Sequence, residues 1–193
     1  MTTFEKLPRH RPVSAQNAQA AVWKAAAASG LEVDMMASMR RGLWALLFAA
    51  AAGLYALCRG AYFVGFFNDD AFYLIGARSL LDGAFLELNR PGTPPLVQYL
   101  PGWPLLLVPA AALGSVAAAQ ATAVLAMLAA AAAAVWCFHD DLDAEGRALL
   151  AALLLFNPLA VSLSGAVLAD APFAALTLLV LGAARRLWDR RDP

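Results

Sequence analysis

The residues able to do chemistry are few and stand in unusual company. An adjacent carboxylate pair, Asp69 and Asp70, opens the stretch FFNDDAFYLIGARSLLDG (residues 66–83), directly after a strongly apolar segment has ended. A third acid, Asp170, is the only carboxylate between Glu145 and Asp189, in an otherwise apolar run. Ionisable groups at the edge of apolar segments are costly and mark functional positions by default. Asp69 and Asp70 can serve a general-base or electrostatic role, or they can be a solvated helix start. Asp170 can equally cap a helix with Pro172 in its first turn. Arg78 and Arg90 are the cations in the same loop, suited either to a phosphate or to solvent and lipid headgroups. Tyr73, Tyr99 and Trp103 read as membrane-interface anchors ahead of sugar-stacking platforms.

The elements that must position these groups follow from composition. Of 193 residues, 62% are hydrophobic and 15% charged, against about a quarter charged in an ordinary soluble domain. The apolar residues gather into long runs, so the chain reads as an all-α, polytopic membrane helical bundle. The basic residues are few and sit at segment ends, which excludes a nucleic-acid footprint. The two cysteines, Cys58 and Cys137, each end an apolar run and read as packing residues.

Residues 1–41 form a cytoplasmic leader with an amphipathic stretch around 15–28, and Met35, Met36 and Met39 offer alternative starts. Arg40 and Arg41 then precede the apolar run 42–58, which reads as a retained first span ahead of a cleaved signal, since no small-x-small site follows. Residues 59–114 make a long loop. Within it Asn68 is placed to N-cap a helix through Asp82, and Gly83 to end it. The apolar part of 101–114 runs about a dozen residues, too short to cross and suited to an interfacial helix. Residues 115–138 form a clear span. The loop HDDLDAEGR (139–147) hints at a calcium loop, but its twelfth position would be Ala152, so helix capping is the simpler reading. Residues 148–164, bent at Asn157-Pro158, and 171–187 complete the spans, leaving a tail, 188–193.

Charge checks the count. Arg40 and Arg41 put the start in the cytoplasm, and Arg185, Arg186, Arg190 and Arg191 put the end there too. Both ends inside require an even number of crossings, so four spans fit if 101–114 does not cross. The loop 59–114 and the turn 165–170 then share the outer face, and with them Asp69, Asp70 and Asp170.

These residues carry a resemblance. NDDAFYLIGARSLLDG, then PPLVQYLPGWPLLLVPAAALG, then LLLFNPLAVSLSGAVLADAPFAALTLL resemble the N-terminal part of GT-C-fold membrane glycosyltransferases. That group holds protein O-mannosyltransferases and lipid A aminoarabinose transferases, and the resemblance covers residues 42–187. In it Asp69 and Asp70 match an acidic pair after the first helix, residues 94–99 a proline-rich juxtamembrane segment, and Asp170 an acid before the fourth helix. Thr93 stands where many members carry a lysine. The resemblance implies transfer of a sugar from a polyprenyl-phosphate donor to a glycan, lipid or protein acceptor at the outer face of the plasma (inner) membrane. Asp69 would act as base, Asp70 and Asp170 would orient the acceptor, and Arg78, Arg90 and Tyr99 would bind substrate. A divalent metal ion is an open question. Members of the family have more helices, so a C-terminal half or a partner subunit is expected to complete the site. The competing reading is a non-enzymatic multi-pass accessory of assembly or transport.

Overall fold

The computed structural model describes residues 37–60 and 62–189. The backbone divides between Ala45 and Leu46. Of the first unit only residues 37–45, the start of the first helix, are described, and the packing below concerns residue 46 onward. The expected amphipathic stretch at 15–28 and the closing Arg190 and Arg191 lie outside the described residues.

The described chain is helical, its one β-feature being an antiparallel bridge between Leu86 and Pro95. Helix α1 is Ala37–Cys58, starting ahead of the expected residue 42 because Met39, Arg40 and Arg41 are themselves good helix formers. It is followed by α2 (Asp69–Leu81), α3 (Gly102–Ala112), α4 (Val116–Cys137), α5 (Ala144–Leu155), α6 (Pro158–Leu163) and α7 (Asp170–Asp189). Among them α1, α4 and α7 are long and apolar enough to cross a membrane. The expected third span, 148–164, is a broken pair, α5 and α6, interrupted at Asn157-Pro158. Asn157 accepts from Leu159 N–H at 2.8 Å and so caps α6, while Pro158 lacks the N–H that would continue α5.

Local chemistry sets the other boundaries. Gly83 takes φ +74°; its N–H bonds Leu80 O and that of Ala84 bonds Ser79 O, the paired closure that ends helices at a left-handed glycine. Gly114 (φ +59°) repeats this at the end of α3, with Ser115 N–H on Ala110 O. Ser115 then caps α4 by accepting from Ala118 N–H. Asp143 caps α5 by accepting from Gly146 N–H at 2.7 Å, which gives the acidic loop its structural role.

Packing fixes the directions. Ala123 of α4 and Ala171 of α7 line one small cavity, while Gly182 of α7 lies against Trp136 and Cys137. Helices α4 and α7 therefore run parallel, and α5–α6 returns the chain between them. Buried alanines on α4 (Ala119, Ala123, Ala131, Ala134) give the smooth face on which membrane helices approach closely. At the end of α7, Arg185 makes a two-pronged ion pair with Asp141, and Arg186 lies over the Trp136 ring at 3.8 Å. At the opposite end, Gly165 sits against the Arg59 backbone, and Gln120 donates to Arg59 O at 3.1 Å. Helix α3 stays at this second end: Trp103 Nε1–H donates to Val167 O at 3.1 Å, and its last turn leads straight into α4. It does not cross. A small core of Ala77, Trp103, Leu107, Ala110, Ala119, Ala123 and Val167 joins α2, α3, α4 and the turn before α7. Cys58 and Cys137 are both free thiols, at opposite ends of the bundle.

Candidate functional site

The two adjacent acids part company at the start of α2. Successive residues on a helix point about 100° apart, and here that rotation puts Asp69 in solvent and Asp70 inside. Asp70 is 2% exposed. Its Oδ2 accepts from Gly65 N–H and its Oδ1 from Ala71 N–H, both at 2.9 Å. A buried carboxylate needs such donors, and Asp70 thereby ties the preceding loop to the helix.

Asn68 occupies the expected cap position but does not cap with its side chain. Its φ of +64° departs from the extended conformation that aims a capping side chain at the first free amides. Its carbonyl accepts from Ala71 and Phe72 instead.

Asp69 Oδ1 accepts a hydrogen bond of 2.7 Å from the Tyr99 hydroxyl. That bond, aided by partial burial and the charges of Asp69 and Glu87, pushes the Tyr99 phenol up to about 12. Tyr99 stacks on Phe72 at 5.2 Å and meets Tyr73 edge-on at 5.3 Å. Burial raises the Tyr73 phenol above its ordinary value, and the charges of Asp69 and Asp170 add to this. Tyr73 of α2 and Pro172 and Phe173 of α7 line one groove, which brings α2 and the start of α7 into one neighbourhood.

Asp170 is the first residue of α7 and exposed. Among the described residues its carboxylate takes no hydrogen bond, so the helix-cap reading lacks its defining contact. Asp170 lines an apolar cleft, and its neighbours Ala169 and Pro172 line a groove. The groove, of about 470 Å³, is lined by Tyr73, Tyr99, Trp103, Leu106, Pro172 and Phe173 among others. The apolar cleft, of about 480 Å³, runs between α4, α5, α6 and α7, with Asp170 and Asn157 its chief polar lining.

The two arginines lie apart from Asp69. Arg78 is at the far end of α2, its guanidinium against Ala111 O at 3.5 Å. Arg90 sits on the hairpin closed by the Leu86–Pro95 bridge, with Nε 2.9 Å from Glu87 Oε2. Glu87 is 4% exposed, and Oε2 is buried with no well-aligned hydrogen-bond donor, so Arg90 balances it by charge alone. Glu87 escaped the sequence reading, although an acid alternating with leucines in FLEL was a usable signal. Trp103 is buried and lines the groove together with Tyr73 and Tyr99; its indole N–H meets Val167 O, and the Tyr99 hydroxyl meets Asp69. Among the described residues no group of three or more His, Cys, Asp or Glu could hold a metal ion.

Helical, with long apolar elements, the chain is a polytopic helical membrane protein that carries Asp69, Asp70 and Asp170 at one end of its bundle. No protein-family model matches it, and no curated protein or solved structure is significantly similar to it.

Proposed function

We propose that the chain is the N-terminal part of the machinery of a membrane glycosyltransferase, moving a sugar from a polyprenyl-phosphate donor to an acceptor at the outer face of the inner membrane. The observation that carries this reading is the exposed Asp69 carboxylate, held by the Tyr99 hydroxyl at 2.7 Å beside an aromatic groove of about 470 Å³. Aromatic walls suit the apolar faces of a sugar ring, and a carboxylate at the groove's edge suits an attacking hydroxyl or amine.

In the step proposed, the acceptor's hydroxyl or amine attacks the anomeric carbon, Asp69 takes its proton, and the bond to the lipid phosphate breaks, leaving the phosphate with the electron pair. Asp170 orients the acceptor from the start of α7. Asp70 positions Asp69 from within rather than touching substrate. Arg90, 60% exposed on its side chain, is better placed than Arg78 to turn from Glu87 toward the departing phosphate. The apolar cleft suits the isoprenoid chain. A further segment or partner subunit completes the donor site.

The test is sugar transfer in membranes from a panel of polyprenyl-phosphate hexoses and pentoses, at matched expression. Asp69→Asn is expected to lower transfer about 10²–10⁴-fold, the usual cost of losing a general base. Asp170→Asn is the sharper comparison, since Asn begins a helix about as well as Asp. Full activity in both variants would remove Asp69 and Asp170 from the chemistry, and no transfer by the wild type from any donor would sink the transferase and favour the accessory reading.

A further inference from the structure

The segment joining α1 to α2 carries four aromatic rings in six residues, Tyr62, Phe63, Phe66 and Phe67. They pack on one another: Tyr62 lies 4.9 Å from Phe66 and 5.0 Å from Phe67, and Phe63 meets Phe66 edge-on at 5.7 Å. Yet Phe63 is 72% and Phe66 53% exposed. Water is a poor surrounding for such a cluster, and the location supplies another.

The α1 helix, long and apolar enough to span, ends at Cys58, so Arg59 marks the membrane boundary. The segment is then prevented from rising away from it. The Arg59 backbone is held against Gly165 and by Gln120. Two tight turns follow, Phe66 N–H on Phe63 O and Asn68 N–H on Gly65 O. Asp70 closes the segment by accepting from Gly65 N–H. The polar layer on each side of a bilayer core is only about 5–8 Å deep, comparable to the reach of one such folded loop.

We propose that the loop of Tyr62–Phe67 rings is a membrane-seated anchor, with Phe63 and Phe66 in the headgroup–acyl boundary of the leaflet and Asp70 coupling its depth to Asp69. The partner is the lipid leaflet itself. Tyrosine rings favour this layer and phenylalanine rings its acyl side, and a compact cluster presents its apolar edges there at little conformational cost. The consequence is functional: Asp69, one residue before the Asp70 tether, is held at the level where a lipid headgroup lies. The anchor follows from the membrane bundle alone. Its failure would leave the transferase reading standing, and the reverse also holds.

The experiment is nitroxide depth measurement on the full chain in phosphatidylcholine vesicles. Single labels go on Phe63→Cys and Phe66→Cys in a Cys58→Ser, Cys137→Ala background, with Asp140→Cys as the aqueous reference. Collision with oxygen relative to a water-soluble nickel chelate is expected to be severalfold higher at Phe63 and Phe66 than at Asp140. The second position guards against a local defect at the first. Adding Asp70→Ala is expected to shift both labels toward the aqueous value while a label at Leu57→Cys stays unchanged. Labels at Phe63 and Phe66 as accessible to the chelate as Asp140 would overturn the anchor. Exclusion of both reagents would overturn it too, since another protein surface would then cover the loop.

Discussion

Tyr99 donates its hydroxyl to Asp69 across thirty positions of sequence, and the 2.7 Å bond joins the proline-rich segment to the first turn of α2. It also makes the site's pH response legible. The folded phenol titrates near 12 against an ordinary 10, so folding favours its neutral form. The associated stability is fully present below pH 10 and is lost as pH rises from about 10 to 12. Wild type should therefore lose its thermal-stability advantage over Tyr99→Phe across that window, and keep it below pH 10. A difference that stays constant from pH 9 to 12 would mean the bond is not formed in solution.

Asp70 and Asp69 should respond to substitution in opposite ways. Asp70→Asn leaves one amide N–H facing an NH₂ group inside the fold. The expected loss is about 1–3 kcal/mol of stability, the usual cost of an unsatisfied buried group. Transfer per folded molecule should fall, but far less than with Asp69→Asn, since Asp70 acts only by positioning Asp69. Asp69→Asn should do the reverse, leaving thermal stability nearly unchanged while transfer collapses. Thermal unfolding in detergent alongside the transfer assay separates the two.

Topology can be read with impermeant thiol reagents in the Cys58→Ser, Cys137→Ala background. Ser79 and Ser164 are obvious polar positions, but both are only 1% exposed and would report poorly. Exposed Asn89 and Asp140 replace them. Asn89→Cys should react in intact cells, and Asp140→Cys only after permeabilisation. Labelling of both from outside would contradict an intervening crossing by α4.

Three glycines should rank by what their added methyl would meet. An ideal Cβ at Gly165 falls 2.1 Å from the Arg59 carbonyl oxygen, which is backbone and has little room to move. At Gly182 it falls 2.4 Å from the edge of the Trp136 ring, and at Gly76 2.8 Å from the tip of Phe85. Overpacking typically costs about 1–3 kcal/mol. Alanine should be worst tolerated at Gly165, intermediate at Gly182 and mildest at Gly76, measured by thermal unfolding in detergent. Equal tolerance at all three would mean the Gly165–Arg59 approach is not as close as described.

By itself the sequence determined the elements. Runs of apolar residues as long as a bilayer core dictate membrane helices, and short-range signals dictate their ends: Gly83 and Gly114 closed α2 and α3, Ser115 and Asp143 opened α4 and α5, and Asn157-Pro158 broke the third crossing. The opposite facing of Asp69 and Asp70 was also legible, because helical rotation acts on neighbours. Which of them faced inward was not. That depended on Gly65, whose N–H needs an acceptor once the loop folds back. The partners of the aromatic residues were likewise decided by tertiary structure. Tyr73, Tyr99 and Trp103 read alike in the sequence, and only Asp69 and Val167, supplied from distant sequence, engage Tyr99 and Trp103, while Phe63 and Phe66 remained exposed. Arg78 and Arg90 stayed alike on the page for the same reason. Their partners, Ala111 and a buried Glu87, come from packing and from the hairpin bridge, and neither leaves a periodic trace in the chain.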